Sequence, residues 1–273
     1  MLRDITIGQH FPGNSALHKL DPRLKIMLTI AYIVMLFVGT NPFGLLLSIV
    51  FLFVGYMVAK IPGRMVWRSI KPLLPVLAFT AILNLFFMAG TPVFQWWVIT
   101  ITWQGIYYAI IMAVRIVCLI AGTSLLTYTT SPIVLTDAIE RLLSPLAKLH
   151  FPAHELAMMM TIALRFIPTL IEETDKIMSA QKARGAELDT GNIMQRIKAL
   201  IPVLIPLFLS AFRRADELAM AMECRCYHGG EGRTRLRQLH ITKQDIAITL
   251  GCVLLFVAVG FSGVLYTRLT GFA

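Results

Sequence analysis

Two arginines, 41 positions apart, are the residues of this chain best placed to do chemistry: each stands between small neighbours, in Ala183-Arg184-Gly185 and in Cys224-Arg225-Cys226. A guanidinium is a planar fork of donors that pairs two-pronged with a carboxylate, and small flanking residues leave it unobstructed. The chemistry on offer is recognition of an acidic group on another protein. Taken singly, each arginine also fits as a cation complementing the negative end of a helix. The repetition favours docking, because two such tips suit a partner with two equivalent sockets.

The other reactive residues fit catalysis poorly. His154-Glu155 is followed by Leu156-Ala157-Met158, without the second histidine of a His-Glu-x-x-His zinc site. The chain has no G-x-x-x-x-G-K-[ST] phosphate cradle and no paired carboxylates in an apolar run. It is therefore expected to be no enzyme and to bind no metal or cofactor directly. Cys224-x-Cys226 lacks a second ligand pair at zinc spacing, so it is expected, with Cys118 and Cys252, to serve as reduced packing residues. His228 beside Gly229-Gly230 reads as a helix terminus. Arg115 stands inside an apolar run, where it is expected to be held by backbone carbonyls near a helix end. The methionines Met158 to Met160, Met220 and Met222 suit either a core or an adaptable partner surface.

The elements that must carry these residues are apolar. Of 273 residues, 57% are hydrophobic and 15% charged, with a mean hydropathy of +0.72, which assigns the chain to a bilayer. A net charge of +10 raises the possibility of nucleic acid, but the basic residues avoid the apolar runs, so lipid and not nucleic acid is the expected surroundings. The opening MLRDITIGQHFPGN has no apolar core of a secretory signal and no lipidation motif is expected. Five stretches approach the ~20 residues needed to cross ~30 Å of hydrocarbon: Leu24–Thr40, Phe43–Ala59, Pro72–Ala89, Ile106–Tyr128 and Ile246–Leu265.

Orientation follows from lysine and arginine, which remain cytoplasmic near spans. Residues 1–25 and the 60–71 loop hold four each, and 129–243 holds fifteen of the 25. The turn at 40–42 and the loop at 90–105 hold none, and the C-terminal end holds only Arg268. The N-terminus is thus expected inside and the C-terminus outside a plasma membrane. The tryptophan-rich 90–105 loop reads as a short hairpin-like excursion at the external interface.

Three parts are expected: residues 1–128 with four membrane helices, a cytoplasmic coupling-helix domain at 129–243, and a fifth membrane helix with an external end at 244–273. Ser131 as N-cap and Pro132 at the first helical position open the middle part. Two long helical patterns follow, about 153–184 and 191–225. Leu156, Met160, Ala163, Ile167, Leu170, Thr174, Ile177 and Gln181 recur at alternating steps of four and three, and the next step is Arg184. Ile197, Ile201, Leu204, Phe208, Ala211, Ala215, Leu218 and Met222 repeat the rhythm, and the next step is Arg225. Charges on the opposite faces make both helices amphipathic, and Pro168, Pro202 and Pro206 are expected to bend them. The fold class is an all-α membrane protein with about five transmembrane helices and long amphipathic coupling helices.

The two small-Arg-small motifs resemble the signature of the transmembrane T component (EcfT, CbiQ-like) of energy-coupling factor transporters. GQHFPGNSALHKLDPRLKI, LLTYTTSPIVLTDAIERLLSPL, ALRFIPTLIEETDKIMSAQKARG and LFLSAFRRADELAMAMECRCYHGGEGRTRLR agree along most of the chain. The likeness is closest to the shared-module type, in which one such subunit serves several substrate-binding components. It implies a non-catalytic subunit of an ABC-class importer of vitamins or other micronutrients. Arg184 and Arg225, with Ala183, Gly185, Cys224 and Cys226, would dock two ABC ATPases, a heterodimer that binds ATP and Mg. The long helices would support an interchangeable membrane S component, through Leu170, Ile177, Ile197, Ile201, Leu204 and Phe208. Cysteines flanking Arg225 depart from the usual alanine or glycine. The alternatives are a dedicated permease subunit of a cobalt/nickel-type system and a stand-alone secondary transporter. The latter wants ionisable groups at the membrane midplane, and the span interiors offer only Arg115 and Asn84.

Overall fold

A computed structural model describes residues 10–39, 41–88, 90–96, 99–145, 152–186, 192–229 and 240–270. Both chain ends, the turn between the two strands, and the 187–191 and 230–239 connections lie outside the described residues. So do Trp97, Gly191 and Gly230 of the expectations above.

Helices begin where the sequence caps them. Asp21 accepts from the Arg23 backbone N–H at 2.9 Å, and Pro22 occupies the first position of α2 (Pro22–Val38), which follows the short α1 (Ala16–Lys19). Pro42 likewise takes the first position of α3 (Pro42–Ala59), here without a side-chain capping bond to the helix start. Next come α4 (Gly63–Ile70), a 3₁₀ turn at Lys71–Leu73 and α5 (Leu74–Phe87). The expected hairpin is present: β1 (Pro92–Trp96) pairs antiparallel with β2 (Ile99–Thr102), Trp96 opposite Ile99. The Thr102 hydroxyl then caps α6 (Trp103–Thr129), accepting from Gly105 N–H at 3.1 Å and donating to the Met88 carbonyl at 2.8 Å. The remaining helices are α7 (Pro132–Leu143), α8 (Ala153–Ala183), α9 (Ile193–Glu223) and α10 (Lys243–Thr270).

The chain divides into two compact units, Gly8–Leu135 with Leu239–Ala273, and one containing Thr136–Gln238. In the first, α5 packs along α6, while α2, α3, α6 and α10 enclose a core of Tyr32, Met35, Leu36, Leu52, Cys118, Ala121 and Val259. The Lys25 ammonium donates to the Thr129 carbonyl at 3.0 Å, and the Arg115 guanidinium to the Gly39 carbonyl at 3.3 Å. The two bonds lie the same number of residues apart on α2 and α6, so these helices run antiparallel in register. Arg115 is held by a backbone carbonyl at a helix end, as expected, but the end belongs to α2 while the arginine lies midway along α6.

Six helical stretches are long and apolar enough to cross a membrane by length and composition: Pro42–Ala59, Gly63–Phe87, Trp103–Thr129, Ala153–Ala183, Met194–Glu223 and Lys243–Phe261. The five expected crossings included α2, which at 17 residues falls just short, and left out α8 and α9. The reason is that α8 and α9 segregate charge along their length as well as around their circumference: α9 has no ionisable residue between Lys198 and Arg213.

The second unit is helical among its described residues. The His154 ring nitrogen Nδ1 lies 2.9 Å from Glu140 Oε1, joining α7 to the first turn of α8 beside the buried Ala138, Ala153 and Ala157. The histidine of the failed zinc motif thus ties two helices together.

Candidate partner-docking site

The first arginine ends α8 in a turn whose hydrogen bonds dictate its geometry. The Gly185 N–H donates to the Lys182 carbonyl at 3.0 Å and the Ala186 N–H to the Gln181 carbonyl at 3.0 Å, with Gly185 at φ +86°. This pair of bonds, spanning three and five residues around a left-handed residue, is a Schellman motif. It places Arg184 at the C-cap.

The second arginine sits in the same frame. The Cys226 N–H donates to the Glu223 carbonyl at 2.8 Å and the Tyr227 N–H to the Met222 carbonyl at 3.1 Å. Residue for residue, Arg225 therefore matches Arg184 and Cys226 matches Gly185. Of the glycines expected to end this helix, Gly229 comes three residues later, at φ +100°, and the left-handed residue closing this turn is Cys226, at φ 56°. Nothing in residue type announces it, since left-handed positions favour glycine. All six residues of the two motifs are exposed, and neither guanidinium is bonded to another group among the described residues. Cys224 and Cys226 are consequently not the packing residues expected; past the last turn of α9 the chain has left the helix contact. Cys118 is buried and Cys252 half-buried, in keeping with that expectation.

α8 and α9 are held together by polar bridges and a few apolar side chains. Glu173 accepts from the Ser210 hydroxyl and from Arg214 Nη2 at 2.8 Å, and the Gln181 amide donates to the Pro202 carbonyl at 3.3 Å. As the contacts advance along α8 they retreat along α9, so the helices pass in opposite senses. At ~1.5 Å rise per residue, Arg184 is one turn beyond this contact and Arg225 on the order of 30 Å from it along α9. The two arginines are thus borne on separate tips.

The residues expected to meet a membrane partner divide. Leu170 and Ile177 on α8 are half-buried. On α9, Ile197, Ile201, Leu204 and Phe208 are all exposed, Phe208 to 61%, while the side chain buried in that stretch is Val203. Glu173, Ser210 and Arg214 bridge α8 to α9; the sequence sets Glu173 and Arg214 on the charged faces opposite the seams without predicting that they pair. Their pairing depends on the angle at which two helices cross, which no spacing within one helix encodes.

Comparison with known proteins decides the family. The family model described as cobalt transport protein (CbiQ) matches residues 13–236. A protein of Ruminiclostridium cellulolyticum named energy-coupling factor transporter transmembrane protein EcfT is 55% identical over 249 residues, covering 91% of this chain and 93% of the relative. The protein of that name from Clostridium kluyveri is 52% identical over 261 residues (95% and 96%), and the one from Lactococcus lactis subsp. cremoris 40% over 257 residues (94% and 97%). The chain belongs to the family of energy-coupling factor transporter transmembrane proteins. It is membrane-embedded, and both arginine turns fall within the matched residues, as do α7, α8 and α9.

Proposed function

We propose that this member of the energy-coupling factor family is the subunit that transmits ATP-driven motion: Arg184 and Arg225 each dock on one of two ABC ATPases, a heterodimer that holds ATP and Mg, while the exposed face of α9 carries a separate membrane S component that recognises a vitamin or other micronutrient. The observation that supports this most directly is the equivalence of the two turns. Two matching hydrogen-bond frames, on separate helix tips, each present a guanidinium that is bonded to no other group among the described residues. A carboxylate socket would complete each one with a charge-assisted, two-pronged pair.

The relatives that share 40 to 55% identity are named for energy coupling and not for a metal. That favours a shared subunit over a dedicated cobalt permease, the reading that the family model's own description suggests. Energy would come from the partners, and the described helices remain the lever between them.

Charge reversal tests the docking. Arg184→Glu and Arg225→Glu each set a carboxylate against an acidic socket, and losing one member of a buried charge pair costs ~2–5 kcal/mol. Both arginines are exposed and bonded to no other group among the described residues, so membrane insertion stays normal while ATPase co-purification and uptake fall. Wild-type co-purification by the double variant would overturn the assignment.

A further inference from the structure

In the unit that contains α1, α2, α3, α6 and α10, a cavity of about 360 Å³ lies among these helices, walled by Leu17, Leu28, Tyr32, Val58, Leu126 and Ile248. That volume is in the range of ligand sites, ~300–1,000 Å³. Of its few polar groups, the Tyr32 hydroxyl is buried with no hydrogen-bond partner among the described residues, and the others are engaged. The Thr29 hydroxyl donates to the Lys25 carbonyl at 2.8 Å and the Thr129 hydroxyl to the Leu125 carbonyl at 2.8 Å. The Lys25 ammonium spends its three protons on the His18 carbonyl (3.1 Å), the Thr129 carbonyl (3.0 Å) and the Thr130 hydroxyl (3.2 Å). A buried water needs ~2–4 polar partners and would find little here beyond the Tyr32 hydroxyl, so the cavity suits an apolar guest.

The cavity is open on one side. Val54 and Val58 line it from α3 and are 52% and 40% exposed, next to the outward-facing Phe53 and Met57. For a membrane-embedded chain the apolar molecule at that opening is a lipid chain. Charge marks the end at which its headgroup sits. Lys60 directly follows α3, and Lys19 lies on α1, which packs against α3. Both are exposed, and neither ammonium is bonded to another group among the described residues. Basic residues beside a pocket between membrane helices attract anionic headgroups.

We propose that this cavity binds an anionic phospholipid, one acyl chain lying between α2, α3, α6 and α10 and the phosphate resting on Lys19 and Lys60. The site is separate from the arginine turns and stands whether or not these dock ATPases.

Photolabelling of the full chain tests it. The chain is placed in phosphatidylcholine vesicles containing either phosphatidylglycerol with a diazirine-bearing acyl chain or phosphatidylcholine with the same chain, and labelled peptides are mapped by mass spectrometry. Phosphatidylglycerol is expected to label Leu28, Thr29 and Leu126 in preference to phosphatidylcholine. Cys252→Phe fills the cavity from α10, and displacing even two methylenes lowers occupancy about tenfold. Labelling of Phe53 and Met57 stays unchanged. If that variant does not insert, Ala16→Leu narrows the space from α1 with the same expected result. Lys19→Gln with Lys60→Gln lowers phosphatidylglycerol labelling about tenfold while leaving the cavity intact. Equal labelling by the two headgroups, or label confined to Phe53 and Met57, overturns the proposal. So does cavity label that vanishes on assembly with other membrane subunits, which would give the space to a partner's side chains.

Discussion

Cys226 is where the two arginine turns differ chemically. An L-residue in the left-handed region is strained by ~1–2 kcal/mol, while glycine there gives back part of the gain as lost freedom of the unfolded chain. Cys226→Gly should therefore raise stability by about 0.5–1 kcal/mol, read as a higher thermal unfolding midpoint in detergent. Gly185→Ala should do the reverse by about 1 kcal/mol, and for a backbone reason alone, because a methyl group at Gly185 meets no atom within 4 Å. If ATPase co-purification survives Gly185→Ala whereas Arg184→Glu abolishes it, the guanidinium rather than the turn carries the docking.

Between elements, close approach and polar bridges set the packing. A Cβ on Gly122 of α6 would lie 2.5 Å from the Tyr32 ring of α2, and that ring is already stacked on Phe51 at 5.6 Å. Gly122→Ala must push the helices apart or displace the ring, and overpacking of this kind costs ~1–3 kcal/mol. A lower thermal midpoint, restored in part by Tyr32→Leu, would bear this out. On α9, Ile201 and Phe208 are exposed to 47% and 61%. Ile201→Asp or Phe208→Asp should therefore leave α8–α9 packing and expression intact while uptake of every substrate is lost together. Loss of expression would place these residues in the chain's own core instead.

At the scale of the whole molecule, the recognition of substrate is expected to lie elsewhere. Among the described residues, no group of three or more histidine, cysteine or acidic side chains is arranged to hold a metal ion. The cavity between α2, α3, α6 and α10 is apolar, and small polar molecules need several convergent donors and acceptors. Ligand titration of the purified chain should detect no micromolar binding of a vitamin or divalent ion, and such binding would move recognition into this subunit. The distribution of basic residues further predicts that a reporter after Ala273 is external and one near Gly191 cytoplasmic, checked by accessibility in intact cells.

What the sequence determined by itself are the features set by local rules. Hydropathy and charge located the apolar helices and the hairpin, proline and capping residues marked helix starts, and the motifs carried the family, because each depends on residues a few positions apart. The two arginines were legible for the same reason. Tertiary structure decided what depends on how separated elements meet. It showed that Arg225 shares the hydrogen-bond frame of Arg184 through a left-handed Cys226, a conformation that residue type opposes. It selected Val203 as the buried side chain of central α9 and left Ile201 and Phe208 uncovered, since the face a helix buries is chosen by its neighbour's position and not by its own periodicity. It also opened the cavity beside Lys25, a space that exists only where five helices fail to fill the gap between them.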